Sequence, residues 1–494
     1  MSLHQSLPGS ALADLDDPRL VRSFSYIGGK WTAAEDGETI PVTDPSTGAW
    51  LGDVASLGRA ESRSAVDAAD AAYWDWSRRL PQERGAYLRR LYELMLAHKE
   101  DLATIMVLEQ GKPISEARGE IDYAASFLEF YAEEARRPNV ESVTSHLPDA
   151  EVEVWREPVG VAALITPWNF PSAMLTRKAA AALAAGCTVV AHPSSETPFS
   201  ALALAELAER AGIPAGVFNV VTGQPATVVE PWCADKRVQA LSFTGSTEIG
   251  RLLYRQCADT VKTLILELGG HAPFIVFEDA DIDQAVEEAV KAKFATSGQD
   301  CLGANRFFIH DHHYDAFCEK FAAATAALTV GQGMDDPDIG PLMNAAAVAK
   351  QKAHVADALD KGARLLTGGK GHDKGPLFYQ PTVLADVPDD ALILREETFG
   401  PVAAITRFTD EQDVTDRANA LDYGLVAYLH TLDPRRIYRM SRALAFGMVA
   451  VNRTKVTGAP IPFGGMKQSG LGREGARMGM ECFTEIKYVC RDWG

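Results

Sequence analysis

Residues 161–191 read VAALITPWNFPSAMLTRKAAAALAAGCTVVA, and this stretch decides the fold. Its first five residues, VAALI, are a short apolar run typical of a buried strand. The segment from Ser172 to Ala185 has a helical pattern, which Gly186 is expected to end. A second apolar run, TVVA, follows at residues 188–191. Strand, helix and strand in this order indicate a parallel βαβ unit.

Residues 59–135, which precede this stretch, have a mostly helical pattern. After it, the alternation of strands and helices continues both before and after Gly270. Further strands are expected at 217–221, 238–243, 274–277 and 306–309, and further helices at 198–211, 282–296 and 314–328. This pattern predicts an α/β fold with two doubly wound parallel sheets and a ligand-binding crevice between them.

Length and composition exclude several classes of protein. A chain of 494 residues is too long for one hydrophobic core, so we expect two or three domains. A net charge of -19 argues against a nucleic-acid partner, because phosphate binding needs a basic surface. No apolar run is long enough to span a bilayer, and the N-terminus lacks the pattern of a secretory signal.

The cysteines indicate a reducing environment. There are seven, scattered along the chain without a CxxC pair. Neither a disulfide framework nor a zinc site is therefore expected, no metal is predicted, and the cytoplasm is the expected compartment.

Two regions lie outside the alternating pattern. Residues 1 to about 20 are expected to form a polar, poorly ordered arm. The segments 151–156 and 484–490 alternate like half-exposed strands, so they either form an edge ribbon that pairs between subunits or pair within one subunit.

Cys301 and Glu267 are the strongest candidates for chemistry. Cys301 lies in SGQDC between Gly298 and Gly303, which leave open space and flexible backbone around the thiol. Glu267 ends an apolar run and precedes Gly269 and Gly270. A thiol can attack a carbonyl, and a buried carboxylate with a raised pKa can activate water to release the bound product.

Three further motifs supply what such a reaction needs. Asn169, in WNFP, can donate to an oxyanion, although taken alone the residue is more typical of a turn before the proline. Gly245 and Ser246 link a strand to a helix, whose N-terminus can hold a pyrophosphate. Glu397 and Phe399 offer a carboxylate for ribose hydroxyls and a wall for a flat ring, or simply form a turn.

Taken together, these motifs resemble those of the NAD(P)-dependent aldehyde dehydrogenase superfamily. The resemblance covers nearly the whole chain, from about Ile27 to Tyr488. It rests on five blocks in the family's order and spacing, which are ITPWNFP (165–171), ELGG (267–270), GQDC (298–301), ETFGP (397–401) and PFGG (462–465).

The resemblance implies a role for each matching residue. Cys301 would be the nucleophile, Glu267 the base for deacylation, Asn169 the oxyanion donor, and Lys178 a proton relay or a group that orients Asn169. The residues that would bind cofactor are Ile165, Thr166, Pro167, Trp168, His192, Ser195, Gly245, Ser246, Glu397 and Phe399.

The resemblance also implies the architecture. It predicts a cofactor domain (1–139 and 159–268), a catalytic domain (269–468) and an oligomerisation ribbon (140–158 and 481–494). A homodimer or homotetramer follows from the same resemblance.

Within the family, the chain looks closest to succinate-semialdehyde dehydrogenases. The supporting segments are TRK (176–178), PFSALALAELA (198–208) and SGLGREG (469–475). In that branch the position of Arg177 helps to bind the distal carboxylate of the substrate, which a guanidinium does well through paired hydrogen bonds.

Several positions depart from the family pattern. His192 replaces a usual lysine and offers little charge to a 2′-phosphate, whereas Ser195 lacks the carboxylate that repels this phosphate in many NAD enzymes. We therefore expect NAD as cofactor, with NADP tolerated. A second substrate-binding arginine is missing before the GQDC block, and Arg453 and Lys455 are candidates to replace it unless they are solvated loop charges. His271 has no explanation from the sequence.

The expected activity is oxidation of a small anionic aldehyde, similar to succinate semialdehyde, to the carboxylate through a cysteine thioester. The alternatives are another anionic substrate, such as glutarate semialdehyde or a sulfonated aldehyde, and a non-catalytic protein on the same fold.

Overall fold

The computed structural model describes residues 10–137 and 140–492. Its strands are β1 (Ser25–Ile27), β2 (Lys30–Thr32), β3 (Thr39–Thr43), β4 (Trp50–Ala55), β5 (Val140–Val143), β6 (Ala150–Pro158), β7 (Val161–Ile165), β8 (Thr188–His192), β9 (Phe218–Val220), β10 (Val238–Thr244), β11 (Thr263–Glu267), β12 (Ala272–Val276), β13 (Ala304–His310), β14 (Arg364–Thr367), β15 (Thr382–Ala385), β16 (Val402–Phe408), β17 (Val426–His430), β18 (Met448–Val451), β19 (Gly470–Leu471) and β20 (Thr484–Asp492). Its helices are α1 (Arg59–Ser77), α2 (Pro81–Ala97), α3 (Lys99–Gln110), α4 (Ile114–Glu134), α5 (Pro171–Ala185), α6 (Pro198–Arg210), α7 (Pro225–Ala234), α8 (Thr247–Cys257), α9 (Ile282–Phe294), α10 (Tyr314–Ala326), α11 (Ala345–Asp360), α12 (Glu411–Asn419), α13 (Pro434–Ala443) and α14 (Ala476–Glu481).

The first large sheet has the strand order β19-β11-β10-β7-β8-β9-β1-β2. Strands β7 to β11 are parallel, and the chain runs outward from β7 through β8 to β9 before it returns to β10 on the other side of β7. The direction of winding therefore reverses between β7 and β10. In doubly wound sheets, ligands bind beyond the carboxyl ends of the strands at such a point.

The second large sheet has the order β14-β15-β16-β13-β12-β17-β18. All its neighbours are parallel except β14, which runs antiparallel to β15. The winding reverses between β12 and β17. The predicted fold class, α/β with two doubly wound sheets, is confirmed, whereas the domain boundaries given above stay a prediction.

A third, three-stranded sheet joins two segments far apart in the sequence. Strand β6 pairs with β5 on one side and with β20 on the other, both antiparallel. The two half-exposed segments thus pair with each other within one chain. Ile486 and Tyr488 on β20 remain 66% and 70% exposed, so this sheet presents apolar side chains to its surroundings. Residues 493–494 of the predicted ribbon lie outside the described residues.

Two expectations from the sequence are wrong. Residues 10–20 are not a disordered arm, because Leu12 and Leu20 are buried in the main core and Ser10 Oγ donates to the Leu51 carbonyl at 2.6 Å. Residues 1–9 of the predicted arm lie outside the described residues. Helix α9 ends at Phe294 instead of continuing to residue 296, because Thr296 has a left-handed backbone with φ 49°. No helix within residues 10–137 and 140–492 combines the length and the apolar character needed to cross a membrane.

Candidate active site

A cavity of about 370 Å³ lies where the two large sheets face each other. The first sheet contributes residues just beyond the carboxyl ends of β7, β10 and β11, and the second contributes residues just before β13, β16 and β17. Its lining is Pro167, Trp168, Asn169, Phe170, Met174, Thr244, Gly245, Ser246, Glu267, Leu268, Gly269, Cys301, Ala346, Ala347, Lys350, Glu397, Phe399, Leu425 and Phe463. The cavity therefore brings together nine of the residues predicted from the sequence, namely Cys301, Glu267, Asn169, Pro167, Trp168, Gly245, Ser246, Glu397 and Phe399.

Cys301 is positioned by a strained backbone turn. The three residues Thr296, Ser297 and Gly298 have φ values of 49°, 57° and 72° in succession. A left-handed conformation costs a non-glycine residue about 1–3 kcal/mol, so the surroundings must hold it. Glu116 on α4 accepts hydrogen bonds from Thr296 N at 2.9 Å and from Thr296 Oγ1 at 3.1 Å, while Ser297 Oγ donates to the Gly340 carbonyl at 3.0 Å.

A glycine is required at position 298. Its backbone lies in the left-handed region, and a side chain there would overlap the carbonyl oxygen of Gly400. Gly400 belongs to the ETFGP segment. The turn that carries Cys301 is thus packed directly against the loop that carries Glu397.

The thiol of Cys301 is half-buried and faces the cavity. Burial raises the pKa of Cys301 well above its ordinary value, and the adjacent Asp300 carboxylate raises it further, while Arg177 acts in the opposite direction. Such surroundings disfavour the thiolate, so reaction of this sulfur as a nucleophile would require removal of its proton first.

Glu267 is a buried carboxyl group of the cavity without a hydrogen-bond partner among the described residues. It is 2% exposed, and neither of its carboxylate oxygens has a hydrogen-bond partner in the described part of the chain. Burial raises the pKa of Glu267 well above its ordinary value, and the nearby Glu474 adds to this effect. A carboxyl group with a raised pKa and no competing partner is suited to accept a proton from water.

Gly464 leaves the space that Glu267 occupies. A Cβ atom at this position would lie 2.8 Å from Glu267 Oε1 and 2.8 Å from Arg473 Cδ. Any larger residue would push the carboxylate out of place, which explains the glycine in the PFGG block in steric terms.

Asn169 is buried, and its amide points toward the loop of Cys301. Its Nδ2 donates to the Gln299 carbonyl at 3.0 Å, which leaves the second N–H of the amide for a ligand. Lys112 donates to the Asn169 carbonyl at 2.8 Å and pairs with Glu120 at 2.5 Å. The Glu120 carboxylate also accepts from the first backbone N–H groups of α5 at 3.0 and 3.1 Å. Sequence reasoning missed both Lys112 and Glu120, which hold this segment in place.

Lys178 and Arg177 share one carboxylate beneath the cavity. Lys178 Nζ donates to Glu474 and, at 2.7 Å, to Thr244 Oγ1, while Arg177 Nε lies 2.5 Å from Glu474 Oε2. All three charged side chains are at most 4% exposed. Burial lowers the pKa of Lys178, although Glu474 opposes this shift. Sequence reasoning did not assign Glu474 a role.

Arg177 does not itself line the cavity. It lies behind two residues that do, because its Cζ is 4.1 Å from the Phe463 ring centroid and its Nη2 is 3.1 Å from Met174 Sδ. The cluster of Arg177, Lys178 and Glu474 carries one net positive charge, which lies close behind this wall of the cavity.

The other half of the cavity fits a nicotinamide dinucleotide. Gly245 and Ser246 precede α8, where free backbone N–H groups suit a pyrophosphate. Glu397 Oε1 accepts from Gly270 N at 2.9 Å, which fixes a carboxylate that can bind ribose hydroxyls. Burial raises the pKa of Glu397 to about 7. Lys350 on α11 also lines the cavity, and the sequence analysis missed this cation.

Two aromatic rings stand at the centre of the same half. Phe399 and Trp168 are 5.6 Å apart and nearly perpendicular, and Phe399 has a left-handed φ of 50°. The strained backbone turns the Phe399 ring toward the cavity, where it can pack against a flat ligand.

Four predicted cofactor residues lie outside the lining of this cavity. Ile165 and Thr166 are buried at the end of β7. His192 is 2% exposed, its Nδ1 lies 2.9 Å from the Val221 carbonyl, and burial lowers the pKa of its imidazole to about 4. Ser195 Oγ donates to the Gly223 carbonyl at 3.3 Å. The ring of His192 is therefore neutral and carries no charge for a phosphate.

The structure does not bring Arg453 and Lys455 to the cavity. Both side chains are exposed. Asn452 adopts a left-handed turn and exchanges hydrogen bonds with the backbone of Thr431, and Thr454 Oγ1 donates to the Glu288 carbonyl at 3.0 Å. These bonds fix the loop with its two cations outward.

His271 is fully buried beneath the Glu397 loop. Neither ring nitrogen has a hydrogen-bond partner in the described part of the chain, and burial lowers the pKa of the imidazole well below its ordinary value. It is a neutral packing residue whose ring lies 6.0 Å from that of Tyr423. Within residues 10–137 and 140–492, no group of three or more His, Cys, Asp or Glu residues is arranged to hold a metal ion.

Comparison with known proteins gives a consistent result. The model of the aldehyde dehydrogenase family matches residues 31–489. The chain is 54% identical over 477 residues to the aspartate-semialdehyde dehydrogenase (non-phosphorylating) of Halomonas elongata, covering 96% of this chain and 97% of that protein. It is 52% identical to the succinate-semialdehyde dehydrogenase [NADP(+)] GabD of Escherichia coli, covering 96% and 99%. It is 50% identical to the glutarate-semialdehyde dehydrogenase of Pseudomonas aeruginosa, again covering 96% and 99%.

A solved structure agrees over the same length. The crystal structure of an NADP-dependent enzyme of Escherichia coli superposes with a TM-score of 0.96 at 51% identity, covering 97% of this chain and all of that one.

Proposed function

Because the chain belongs to the aldehyde dehydrogenase family, and is therefore an NAD(P)-dependent enzyme, we propose that it oxidises a small aldehyde with an anionic tail to the carboxylate. The observation that carries this proposal is a single cavity lined by a thiol, a free carboxyl group and an amide donor, which are Cys301, Glu267 and Asn169. An NADH absorbance assay with acidic aldehydes tests it, and absence of turnover would favour the non-catalytic alternative.

In the first step, Glu267 accepts the proton of Cys301 and passes it to solvent, and the sulfur bonds to the aldehyde carbon. The carbonyl oxygen then becomes an oxyanion. We assign its stabilisation to the second Nδ2–H of Asn169 and to the backbone N–H of Cys301, since preorganised donors at a developing charge are worth several kcal/mol. Lys112 and Glu120 keep Asn169 in place for this role.

In the second step, a nicotinamide held by Glu397 and Phe399 would supply the hydride acceptor, and loss of hydride from the carbon bonded to sulfur would leave a thioester on Cys301. Glu267 then takes a proton from water, the hydroxyl bonds to the acyl carbon, and the C–S bond breaks to release the acid and the thiolate. The presence of this base favours hydrolysis over transfer to a second thiol such as coenzyme A. We assign removal of this proton to the buried Lys178–Glu474 pair, whose charges lie close enough to shift the pKa of Glu267.

The anionic tail is expected on the side of the cavity formed by Phe170, Met174 and Phe463. Arg177 lies directly behind this wall, so its charge attracts a carboxylate there. Direct contact would require part of the guanidinium to turn away from Glu474. Arg177→Gln should raise KM for an acidic aldehyde and leave KM for a neutral aldehyde of equal length nearly unchanged, whereas equal effects on both would contradict the assignment.

The identity of the tail is a separate question. Relatives named for aspartate, succinate and glutarate semialdehydes all have acidic substrates, and they are almost equally similar to this chain. We expect a carboxylate-tailed semialdehyde with four or five carbons to rank first. The test is a panel of aldehydes with carboxylate, amino-carboxylate, sulfonate, phosphate and neutral tails, ranked by kcat/KM.

For the cofactor we propose NAD, with NADP tolerated. His192 is neutral and buried, so it adds no charge for a 2′-phosphate, and Ser195 adds no repulsion. Introducing repulsion by Ser195→Glu should lower kcat/KM for NADP far more than for NAD. A wild-type enzyme that strongly prefers NADP would contradict this assignment.

We further propose that the enzyme forms a homodimer or homotetramer through the three-stranded sheet. Its support is the exposed apolar surface of β20, where Ile486 and Tyr488 lie. Sedimentation equilibrium of the wild type and of Ile486→Lys tests this, with a shift toward monomer expected. All seven cysteines are free thiols, which supports a reducing compartment such as the cytoplasm.

A further inference from the structure

A second cavity lies between β13 of the second large sheet and α12. It measures about 400 Å³ and is here called the arginine pocket. It is lined by Arg306, Phe308, Asp389, Leu394, Arg395, Arg417, Ala420 and Leu421. Three arginines and one aspartate make it locally positive, in a chain whose net charge is -19. Its size falls in the range of small-molecule sites.

Arg306 forms the buried base of this pocket. It is 2% exposed, and its Nε, Nη1 and Nη2 donate to the carbonyls of His271, Arg417 and Ala418, each at 3.0 Å. Carbonyls satisfy these N–H groups without neutralising the charge, and no carboxylate of the described residues lies within ion-pairing distance of Arg306. A guanidinium has five N–H groups, so two remain for another acceptor.

The two other arginines flank the same space. Arg417 pairs with Asp389 at 2.8 Å and with Asp413 at 3.5 Å, but its Nε is buried without a hydrogen-bond partner in the described part of the chain. Arg395 is exposed, and the contact that its side chain makes is a long one, 3.4 Å, to the Asp389 carbonyl. The Phe308 ring lies between two of these cations, 5.0 Å from Arg417 Cζ and 5.7 Å from Arg306 Cζ.

This arrangement has an excess of cations with unused donors. A buried guanidinium without an anionic partner is unfavourable, and planar guanidinium groups that converge on one space match carboxylate and phosphate oxygens. Burial and the neighbouring charge of Arg417 together lower the pKa of Arg306 to about 9, as expected for a buried cation that lacks an anionic partner.

The pocket is also connected to the cofactor half of the active site. Leu394 and Arg395 immediately precede the segment that carries Glu397. Arg306 holds the carbonyl of His271, and the residue before it, Gly270, donates to Glu397 at 2.9 Å. An anion that draws Arg395 and Arg306 inward therefore acts on both supports of the Glu397 carboxylate.

We propose that the arginine pocket binds a small molecule with carboxylate or phosphate oxygens, and that its occupancy changes the affinity for the nicotinamide cofactor through Glu397. The second part rests on the proposed function. The first part does not, because binding is measured without turnover.

Calorimetric titration of the full-length enzyme, with the cofactor site saturated by NAD, tests binding. The probes are inorganic phosphate and succinate, which separate a phosphate ligand from a dicarboxylate. Arg395→Gln removes an exposed cation from the pocket, and Arg435→Gln is the matched control, because Arg435 is an exposed arginine on α13. We expect Kd for at least one probe to rise about tenfold or more in Arg395→Gln, the size of one lost charge-assisted hydrogen bond, and to stay unchanged in Arg435→Gln.

Equal Kd values in all three proteins, or no binding of either probe at millimolar concentration, would overturn the proposal. The effect on cofactor binding is read from the Kd of NAD by fluorescence quenching, with and without the probe that binds. An enzyme that binds the anion but oxidises no aldehyde would refute the proposed function and leave the arginine pocket standing.

Discussion

Replacing Glu474 by Gln removes the carboxylate that Arg177 and Lys178 share. Glu474 is 4% exposed, and both cations are buried with it. Breaking a buried ion pair by removing one partner destabilises a protein by about 3–5 kcal/mol. The amide can still accept hydrogen bonds, so we expect the lower end, about 3 kcal/mol, in the free energy of unfolding.

Urea unfolding at neutral pH, followed by tryptophan fluorescence, measures this loss. Glu481→Gln is the control, because Glu481 is paired with Arg477 at 3.2 Å but is only partly buried. Surface pairs of this kind contribute at most about 1 kcal/mol. If Glu474→Gln is no less stable than Glu481→Gln, the account of a strongly coupled buried cluster is wrong.

The same variant gives a prediction about pH. Burial raises the pKa of Glu474, but Arg177 and Lys178 together hold it below its ordinary value. A depressed pKa means that this carboxylate stabilises the fold above its unfolded pKa and loses that contribution as pH falls through the folded one. The acid loss of stability should therefore be smaller in Glu474→Gln. Because Glu474 also raises the pKa of Glu267, the rise of kcat with pH should begin at lower pH in the variant.

Three further predictions concern the geometry around the nucleophile. Glu267→Gln should release a burst of NADH and then turn over slowly, because hydride transfer precedes the hydrolytic step that needs the base, and solvent can take the thiol proton in its place. Stopped-flow absorbance measures both phases, and undiminished steady-state turnover would show that this role is wrong. Gly464→Ala should lower kcat by about 10–100-fold, since its Cβ would lie 2.8 Å from Glu267 Oε1, whereas Gly119→Ala, with open space around it, should leave kcat unchanged. Glu116→Gln should slow alkylation of Cys301 by iodoacetamide or make it heterogeneous, because the strained turn loses its charged support, and an unchanged single-exponential rate would count against that role.

The sequence was sufficient for the features that depend on local pattern. The strands β7 and β8 and the helix between them lie within one residue of their predicted bounds, because alternating apolar runs and a terminal glycine dictate them. Cys301, Glu267 and Asn169 are identifiable because each lies at a strand end or in a glycine-rich turn, and the fold brings the carboxyl edge of the first sheet to the amino edge of the second.

Features that depend on distant contacts could not be predicted in this way. Glu474 lies 296 residues from Lys178, and Glu116 lies 180 residues from Thr296. In the sequence Glu116 is an ordinary glutamate and Glu474 is one member of the SGLGREG segment, and only the packed structure shows their partners. Lys350 has the pattern of a surface lysine on α11. Arg453 and Lys455 are plausible site residues in the sequence, but the turn at Asn452 directs them outward, and this turn depends on a contact with a distant segment.

The central claim is that the acyl group passes through a covalent bond to Cys301. Mass spectrometry of Glu267→Gln, quenched after reaction with an acidic aldehyde and NAD, measures this bond directly. We predict that the peptide containing Cys301 gains the mass of the acyl group, and that Cys301→Ala gives neither this adduct nor NADH. Formation of NADH by Cys301→Ala, or a burst in Glu267→Gln without an adduct on that peptide, would contradict the mechanism.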